Sequence, residues 1–434
     1  MHTIALCPTC LQTAPAIVKK QDGALYLEVN CSQCGLHTNL IEHDAELYEK
    51  WNLERRPNVA PASYQKKQEK GCPFDCGLCE NHKQKSCISL IEITTKCDLS
   101  CPICYASSGG GEHVPFENIV QQLNAAVETA GGKPDVLQIS GGEPTTHPQL
   151  IEILKEAMKL PFKYVMLNTN GLNIVNGNIK AEDLKALGNG FEIHLQFDGL
   201  TDNIYETLRG RSLLNEKLKI LDILAEAEIS VTLVATLRRN LNLEQCGDIL
   251  RFALDHPAVR GMNFQCEAFL GRNTNNPEER VTQTEVANQL AETASELLTL
   301  ENFTPLSCGL ANMIYFEKLS KKWQPIPKIL AKEIKANPMT VSLEEVLSFA
   351  KDACVCKSGV LLKELAKRLP KNLLMLSKEK RSKLVHQKFF HLTIISFLDA
   401  YNFDLNRASR ECTHILQQDG TKIPFSAYNT IYRK

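Results

Sequence analysis

An α/β fold built on parallel strands is what this sequence predicts, on three observations. Short apolar runs alternate with amphipathic helical stretches between about residues 89 and 275. Residues able to do chemistry stand directly after those runs. The flanking regions differ in texture, cysteine-rich before and mainly helical in pattern after, with a basic, proline-punctuated stretch near residues 320–340. Such alternation implies right-handed crossovers in one sheet, either open and doubly wound or curled into a barrel, with the chemistry at the C-terminal ends of the strands.

Residues 1–60 read as a metal module. Cys7 and Cys10, then Cys31 and Cys34, form two CxxC pairs with twenty residues between them, the spacing of a ribbon that holds one tetrahedral ion on four thiolates. Zinc and mononuclear iron use the same ligands. Residues 61–88 carry GCPFDCGLCENHKQKSC, where three and then two residues separate Cys72, Cys76 and Cys79, and Cys87 follows close behind. Four thiolates saturate a cluster, so this segment reads as a closed auxiliary [4Fe–4S] site, with structural zinc as the simpler alternative. Both segments are weakly periodic and depend largely on metal to hold together.

From residue 89 on, SLIEIT, DVLQIS, KYVMLNT, FEIHLQF, ISVTLVAT and VRGMNFQ read as six buried strands. FENIVQQLNAAVETA, PQLIEILKEAMKL and LNEKLKILDILAEAE read as helices, with apolar residues at three- and four-residue steps. After the first strand, CDLSCPICY sets Cys97, Cys101 and Cys104 at the spacing of the earlier trio and ends in an aromatic, Tyr105. Three thiolates hold three irons of a [4Fe–4S] cube and leave the fourth open to an exchangeable ligand, as reductive cleavage of a bound sulfonium requires. The second strand ends in Gly141, Gly142, Glu143 and Pro144; the glycines permit close backbone approach, and the carboxylate can accept from an ammonium group.

The 49 basic and 50 acidic residues leave a net charge of −1, which argues against binding nucleic acid through bulk electrostatics. The N-terminus has no signal-peptide pattern and no apolar run reaches membrane-spanning length; the longest, Phe389 to Tyr401, reads as a core helix. Of seventeen cysteines, eleven fall in the first 104 residues at two- and three-residue gaps, which fits cytoplasmic metal binding better than a disulfide scaffold. Cys246 and Cys266 read as buried free thiols. Cys354 and Cys356 are close enough to share a metal, and with Cys308 and Cys412 they supply four ligands for a third cluster.

CxxxCxxCY followed by GGEP resembles the radical S-adenosylmethionine superfamily over roughly residues 89–270. The resemblance implies a partial (β/α)6 barrel over residues 89–275, preceded by the N-terminal metal-binding module and followed by a mainly helical C-terminal region, 276–434. It implies that GGEP holds the amino group of S-adenosylmethionine and that Tyr105 lies near the adenine. Asn168 and Asn170 in NTNG, Gln196 and Asp198 in QFDG, and Gln265 in NFQ would line the cofactor, and Arg209 would offer its carboxylate a two-pronged contact. More narrowly, GCPFDCGLCENH, LQFDGL with YETLRG, VTLVATLRRNLN, DAYNFDLNRASREC and DGTKIPFSAYN look like the subfamily of archaeal tetraether lipid synthase and related pterin methylases. The chain departs from that pattern at Glu411 and Ser426, where cysteines are usual, and at Cys266, where proline is.

These features imply an enzyme that forms a 5′-deoxyadenosyl radical, abstracts hydrogen from an unactivated carbon and joins carbon to carbon on an apolar, lipid-like substrate. A methylase acting on a pterin or other small molecule is the runner-up, followed by a peptide-modifying maturase. A metal-knuckle scaffold or nucleic-acid binder with a relic barrel fits the intact motifs and neutral charge least well. A reductant such as ferredoxin or flavodoxin is implied, and a lipid substrate would add peripheral membrane contact.

Overall fold

The computed structural model describes residues 1–55, 57–319, 321–326 and 388–433. The chain opens with an antiparallel sheet of β1 (His2–Leu6), β2 (Thr13–Gln21), β3 (Ala24–Cys31) and β4 (Gly35–Glu42), then helix α1 (Ala45–Glu54). Its apolar interior is small: Ala5, Leu25, Leu27, Val29 and Ile41 pack beside Cys7 and Cys31. Leu6 N–H donates to Phe403 C=O at 3.1 Å, and Glu42 accepts from the Thr284 hydroxyl at 3.0 Å, so this sheet is tied to the body of the protein.

Six parallel strands follow in chain order: β5 (Ile88–Glu92), β6 (Val136–Ser140), β7 (Tyr164–Thr169), β8 (Phe191–Gln196), β9 (Val231–Leu237) and β10 (Val259–Cys266). They are the six apolar runs of the sequence. The crossovers include α2 (Phe116–Glu128), α3 (Leu150–Lys159), α4 (Asp202–Arg209), α5 (Leu214–Glu226) and α6 (Cys246–Asp255). Strand side chains alternate between faces. Leu137, Ile139, Val165, Leu167, Ile193, Leu195, Val231 and Leu233 join the main apolar core with the helices. The alternate positions carry Gln138, Ser140, Asn168, Glu192, His194 and Thr232 beside the apolar Ile88, Leu90, Val136 and Met166, so the other face is mixed, with most of its polar residues buried.

After helix α7 (Gln283–Thr293), the sheet grows at both ends. β11 (Thr304–Pro305), β12 (Ala311–Leu319), β13 (Lys322–Pro325) and β14 (Phe389–Ile395) extend it beyond β10, while β15 (Thr413–Leu416) and β16 (Lys422–Pro424) extend it beyond β5. β14 runs parallel to β10, and β15 runs parallel to β5. This corrects the reading of Phe389–Tyr401 as a core helix. FFHLTII is a strand whose Phe390, Leu392 and Ile394 enter the core while His391 and Thr393 take the other face. A fully buried strand and a buried helix segment share one apolar run, and β-branched residues at Thr393, Ile394 and Ile395 were the overlooked signal. The described part of 276–434 is thus strand-bearing as well as helical. No helix among the described residues is long and apolar enough to cross a membrane.

The C-terminal segment is locked on by a buried ion pair. Arg280 Nη2 donates to both carboxylate oxygens of Asp399 at 2.7 and 2.9 Å, and Asp399 also accepts from Phe269 N–H at 3.0 Å. Removing one partner strands the other charge in the core, at a cost of about 3–5 kcal/mol. Arg280→Ala and Asp399→Ala are each expected to lower chemical-denaturation stability by about that amount, and the double variant by much less than the sum. Additive losses would contradict the pairing.

Candidate active site

The loop after β5 is held from below by the turn after β6. Gly142 N–H donates to Thr94 C=O and Glu143 N–H to Lys96 C=O, both at 2.8 Å. A β-carbon on Gly142 would stand 2.1 Å from the Lys96 carbonyl oxygen, and one on Gly141, whose φ is +142°, would stand 2.3 Å from that of Thr94. No side chain fits between these backbones. Downstream, Leu99 N–H points at Cys97 Sγ at 3.4 Å, and Arg272 donates from Nε to Cys101 C=O at 3.1 Å and from Nη1 to Ser108 C=O at 2.7 Å. Gly271, at φ +59°, lets that arginine's segment lie against the carbonyls of Cys104 and Tyr105. Burial pushes the Cys97 thiol up to about 12, so iron must displace a proton there and loading is favoured as pH rises.

Glu143 differs from its expected use. Its carboxylate is buried and accepts from Thr145 N–H and hydroxyl at 3.0 and 2.6 Å, Thr169 hydroxyl at 2.7 Å and Asn170 N–H at 2.7 Å. It therefore ties the GGEP turn, whose Pro144 starts a short 3₁₀ helix, to the end of β7. Burial raises its pKa, against the pull of those donors. Arg209 also departs from expectation: its fork closes on Asp198, Nε and Nη2 at 2.7 Å each, instead of standing open for a carboxylate. Burial alone would lower its pKa, but Asp198 outweighs that and keeps it charged. Arg209 also reaches the Cys101 sulfur.

Lys217 is a residue that sequence reasoning missed. Fully buried on α5, it donates to Asn170 C=O at 2.5 Å and to Gln196 Oε1 at 2.8 Å, and burial lowers its pKa to about 7. Its position in step with Ile220, Leu221 and Leu224 on the apolar stripe was a legible signal. Asn170 and Gln196 are thus brought together. Asn170 also donates to Asp98 at 2.6 Å, beside Cys97. Gln265 lies at the end of β10, paired in register with Thr236 and Ile395. Tyr105 packs edge-on to Phe425 at 5.2 Å, with burial raising its pKa to about 12.

The other cysteines form three groups. Cys7, Cys10, Cys31 and Cys34 bring their sulfurs within 4.8 Å of one another, which suits one tetrahedral ion. Cys31 Sγ accepts from the backbone of Gln33 and Cys34, which lowers its pKa to about 7. Cys72, Cys76 and Cys79 line a hollow of about 330 Å³ with His82, Ala408, Ser409, Pro424 and Ala427. Cys87, the expected fourth ligand, does not line it; the pairing of β5 with β15 carries Cys87 to the side of Cys412, which also contacts Cys308. Cys354 and Cys356 lie outside the described residues.

Comparison with known proteins places this geometry. Residues 91–253 match the radical SAM superfamily model, and residues 1–43 match the HMPTM N-terminal zinc ribbon domain. The chain is 32% identical to a 7,8-dihydro-6-hydroxymethylpterin dimethyltransferase of Methanocaldococcus jannaschii, over all of this chain and 94% of that protein. The chain belongs to the radical S-adenosylmethionine superfamily. Within it, the chain falls in the subfamily that includes the pterin methylases. It is 28% identical to a PqqA peptide cyclase of Bradyrhizobium diazoefficiens, over 48% of this chain and 54% of that one. Streptococcus suis SuiB bound to S-adenosylmethionine aligns over 49% of this chain and 47% of its own, at 17% identity and a TM-score of 0.40.

As a radical S-adenosylmethionine enzyme, the protein uses that cofactor with a [4Fe–4S] cluster. The chain's donors fit such a group: three thiols on one glycine-supported loop, beside the buried guanidinium of Arg209 and the buried amine of Lys217. Gly142→Ala is expected to displace the Cys97–Cys104 loop and cut S-adenosylmethionine cleavage at least tenfold, with circular dichroism unchanged. Cys101→Ala should abolish cleavage altogether. Full cleavage by Gly142→Ala would contradict the backbone contact.

Proposed function

We propose that this enzyme alkylates a reduced pterin or a close heteroaromatic relative inside the barrel, with Cys97, Cys101 and Cys104 holding the catalytic cluster. With both cofactors bound, the cluster and S-adenosylmethionine supply a carbon-centred radical able to take hydrogen from an sp³ carbon. The chain's own residues do the rest. Three thiolates leave one iron open. Gly141 and Gly142 hold the loop against the strand ends. Lys217 and the Asp198–Arg209 pair keep Gln196 and Asn170 fixed around the mouth.

The observation that carries the substrate reading is a group of unpartnered polar atoms on the inward face of the sheet. His194 Nε2, Asn168 Oδ1, Asn263 Oδ1 and Thr393 Oγ1 are buried and have no hydrogen-bond partner among the described residues. Asn168 and His194 are neighbours in register, and so are Asn263 and Thr393. Unpartnered buried polar atoms cost about 1–3 kcal/mol each, so a ligand with several ring donors and acceptors suits them. An alkyl chain would leave all four unsatisfied. Burial lowers the pKa of His194 to about 4, so it faces the substrate as neutral imidazole. The name of the full-length relative from Methanocaldococcus jannaschii, a pterin dimethyltransferase, supports the same choice, and we prefer the pterin reading to the lipid one.

The test is anaerobic turnover with dithionite as one-electron reductant, a reduced 6-hydroxymethylpterin, and S-adenosylmethionine both as the radical source, leaving methionine, and as the methyl donor, leaving S-adenosylhomocysteine, followed by mass spectrometry. Alkylated pterin with 5′-deoxyadenosine is expected; cleavage of the cofactor without pterin product would contradict the reading. His194→Leu and Asn263→Leu should each raise KM for the pterin about 5- to 100-fold, the loss of one buried hydrogen bond, with a smaller effect on kcat.

A further inference from the structure

We infer that Arg55, Arg407 and Arg410 form an oxyanion site, built to hold a phosphate group in the seam between the N-terminal module and the C-terminal segment. Arg55 caps the end of α1, and Arg407 and Arg410 stand one turn apart, in and just after the short helix Leu405–Ala408. Backbone contacts fix the seam. Ala5 of β1 bridges Asp404, Leu6 N–H donates to Phe403 C=O, and Arg410 N–H donates to Arg407 C=O at 3.0 Å. The turn before β12 closes the site from a third side. Arg55 Nη1 donates to Ser307 C=O at 3.0 Å, and a β-carbon on Gly309 would stand 3.9 Å from both Arg55 Nη1 and Arg410 Nη2, so the two guanidiniums flank one point. Ala311 pairs with Ile395 at the C-terminal end of β14, which runs parallel to β10. The turn therefore lies on the side where the parallel strands end, the side of the Cys97–Cys104 loop.

Two observations point to a ligand. Arg407 is 4% exposed, yet its Nε, Nη1 and Nη2 are all buried with no hydrogen-bond partner among the described residues. The carboxylates near it are committed elsewhere. Glu42 accepts from the Thr284 hydroxyl at 3.0 Å, Asp404 from the N–H groups of Asn406 and Arg407 at 2.7 and 3.2 Å, and Asp399 from Arg280 at 2.7 Å. Burial alone would lower the pKa of Arg407; Tyr48, whose ring centroid lies 6.0 Å from the guanidinium carbon, and those three acids outweigh it and keep the group charged. They supply field but no acceptor to the guanidinium, and an orphaned buried donor set of this size calls for a bound partner. The second observation is uncompensated repulsion. Arg55 and Arg410 are half-buried, each with its Nε buried and unpartnered among the described residues, and burial followed by the charges of Arg55 and Arg407 pulls Arg410 below its usual pKa. Water would fill the donors and leave the like charges facing one another. A multivalent oxyanion answers both needs, and the guanidinium fork suits phosphate through paired N–H donors. The half-buried edge made by Arg55 and Arg410 opens the site to the surface.

Inorganic phosphate and pyrophosphate are the probes, titrated calorimetrically into the full-length protein reconstituted anaerobically with its metals. Saturable binding at one site per chain, weakening as salt rises, is expected. Arg55→Gln and Arg410→Gln, at the half-buried edge, should each weaken it about 10- to 100-fold, the loss of charge-assisted hydrogen bonds, with circular dichroism unchanged. Arg407→Lys keeps the buried charge but not the fork, so it should weaken binding while thermal stability holds. No saturable binding, or equal binding by the native chain, Arg410→Gln and Arg407→Lys, would overturn the inference. So would an equal loss in Lys133→Gln, which removes an exposed cation before β6 at the opposite side of the sheet. A phosphate ester carried by the substrate and a free ion share this chemistry, and KM separates them. If Arg410→Gln raises KM for the phosphate ester of the reduced 6-hydroxymethylpterin and not for the free alcohol, the site reads the substrate. If neither KM moves while pyrophosphate binding falls, it holds a free ion. Both outcomes uphold the site, and the binding arm needs no turnover, so it stands or falls apart from the pterin reading.

Discussion

The Glu143 carboxylate is the constraint on which the strand-end architecture rests. It sits in the core with four donors from Thr145, Thr169 and Asn170 around its two oxygens, while its own N–H reaches back to Lys96. A buried carboxylate is tolerable only when its lone pairs are filled, so the donor segments must be held there together. The ends of β5, β6 and β7 are thereby fixed relative to one another. Cys97 is positioned by this backbone lattice, with glycines at the two points where no side chain fits.

A partly polar lumen follows from the same arrangement of layers, with Ile88, Leu90, Val136 and Met166 among its apolar residues. One face of each parallel strand meets the helices and is aliphatic; the other turns inward with Gln138, Asn168, His194, Asn263 and Thr393. Glu192 meets Arg260 and Thr232 there, a satisfied group deeper in the barrel. The lateral opening of a six-stranded sheet is covered by the C-terminal segment. The Phe425 and Phe397 rings meet at a tilt of 36° with centroids 4.3 Å apart beside Tyr105, and Arg433 pairs with Glu92 at 3.1 Å. Residues remote in sequence thus wall the site.

Most of this was legible residue by residue. All six strands of the central sheet, the two glycines and helices α2, α3 and α5 follow from period and turn chemistry, because local pattern and tertiary packing agree there. Cys87 lies beside Cys412 and outside the hollow lined by Cys72, Cys76 and Cys79, a placement set by the non-local β5–β15 pairing that spacing alone does not show. Phe389–Ile395 was misread because a run buried on both faces has no clean period. The partner that Arg209 holds here, Asp198 eleven residues earlier, could not be chosen from sequence alone, where the resemblance offered the cofactor's carboxylate. Lys217 broke an apolar stripe, which is the kind of local inconsistency that marks a functional position.

An anaerobic crystal structure with S-adenosylmethionine and a reduced pterin bound tests the central claim most directly. The account predicts the pterin ring inside the barrel, within hydrogen-bonding distance of His194, Asn168, Asn263 and Thr393, with the cofactor on the open iron of the Cys97, Cys101 and Cys104 cluster. A ring bound outside the lumen, with those four side chains untouched, would contradict it.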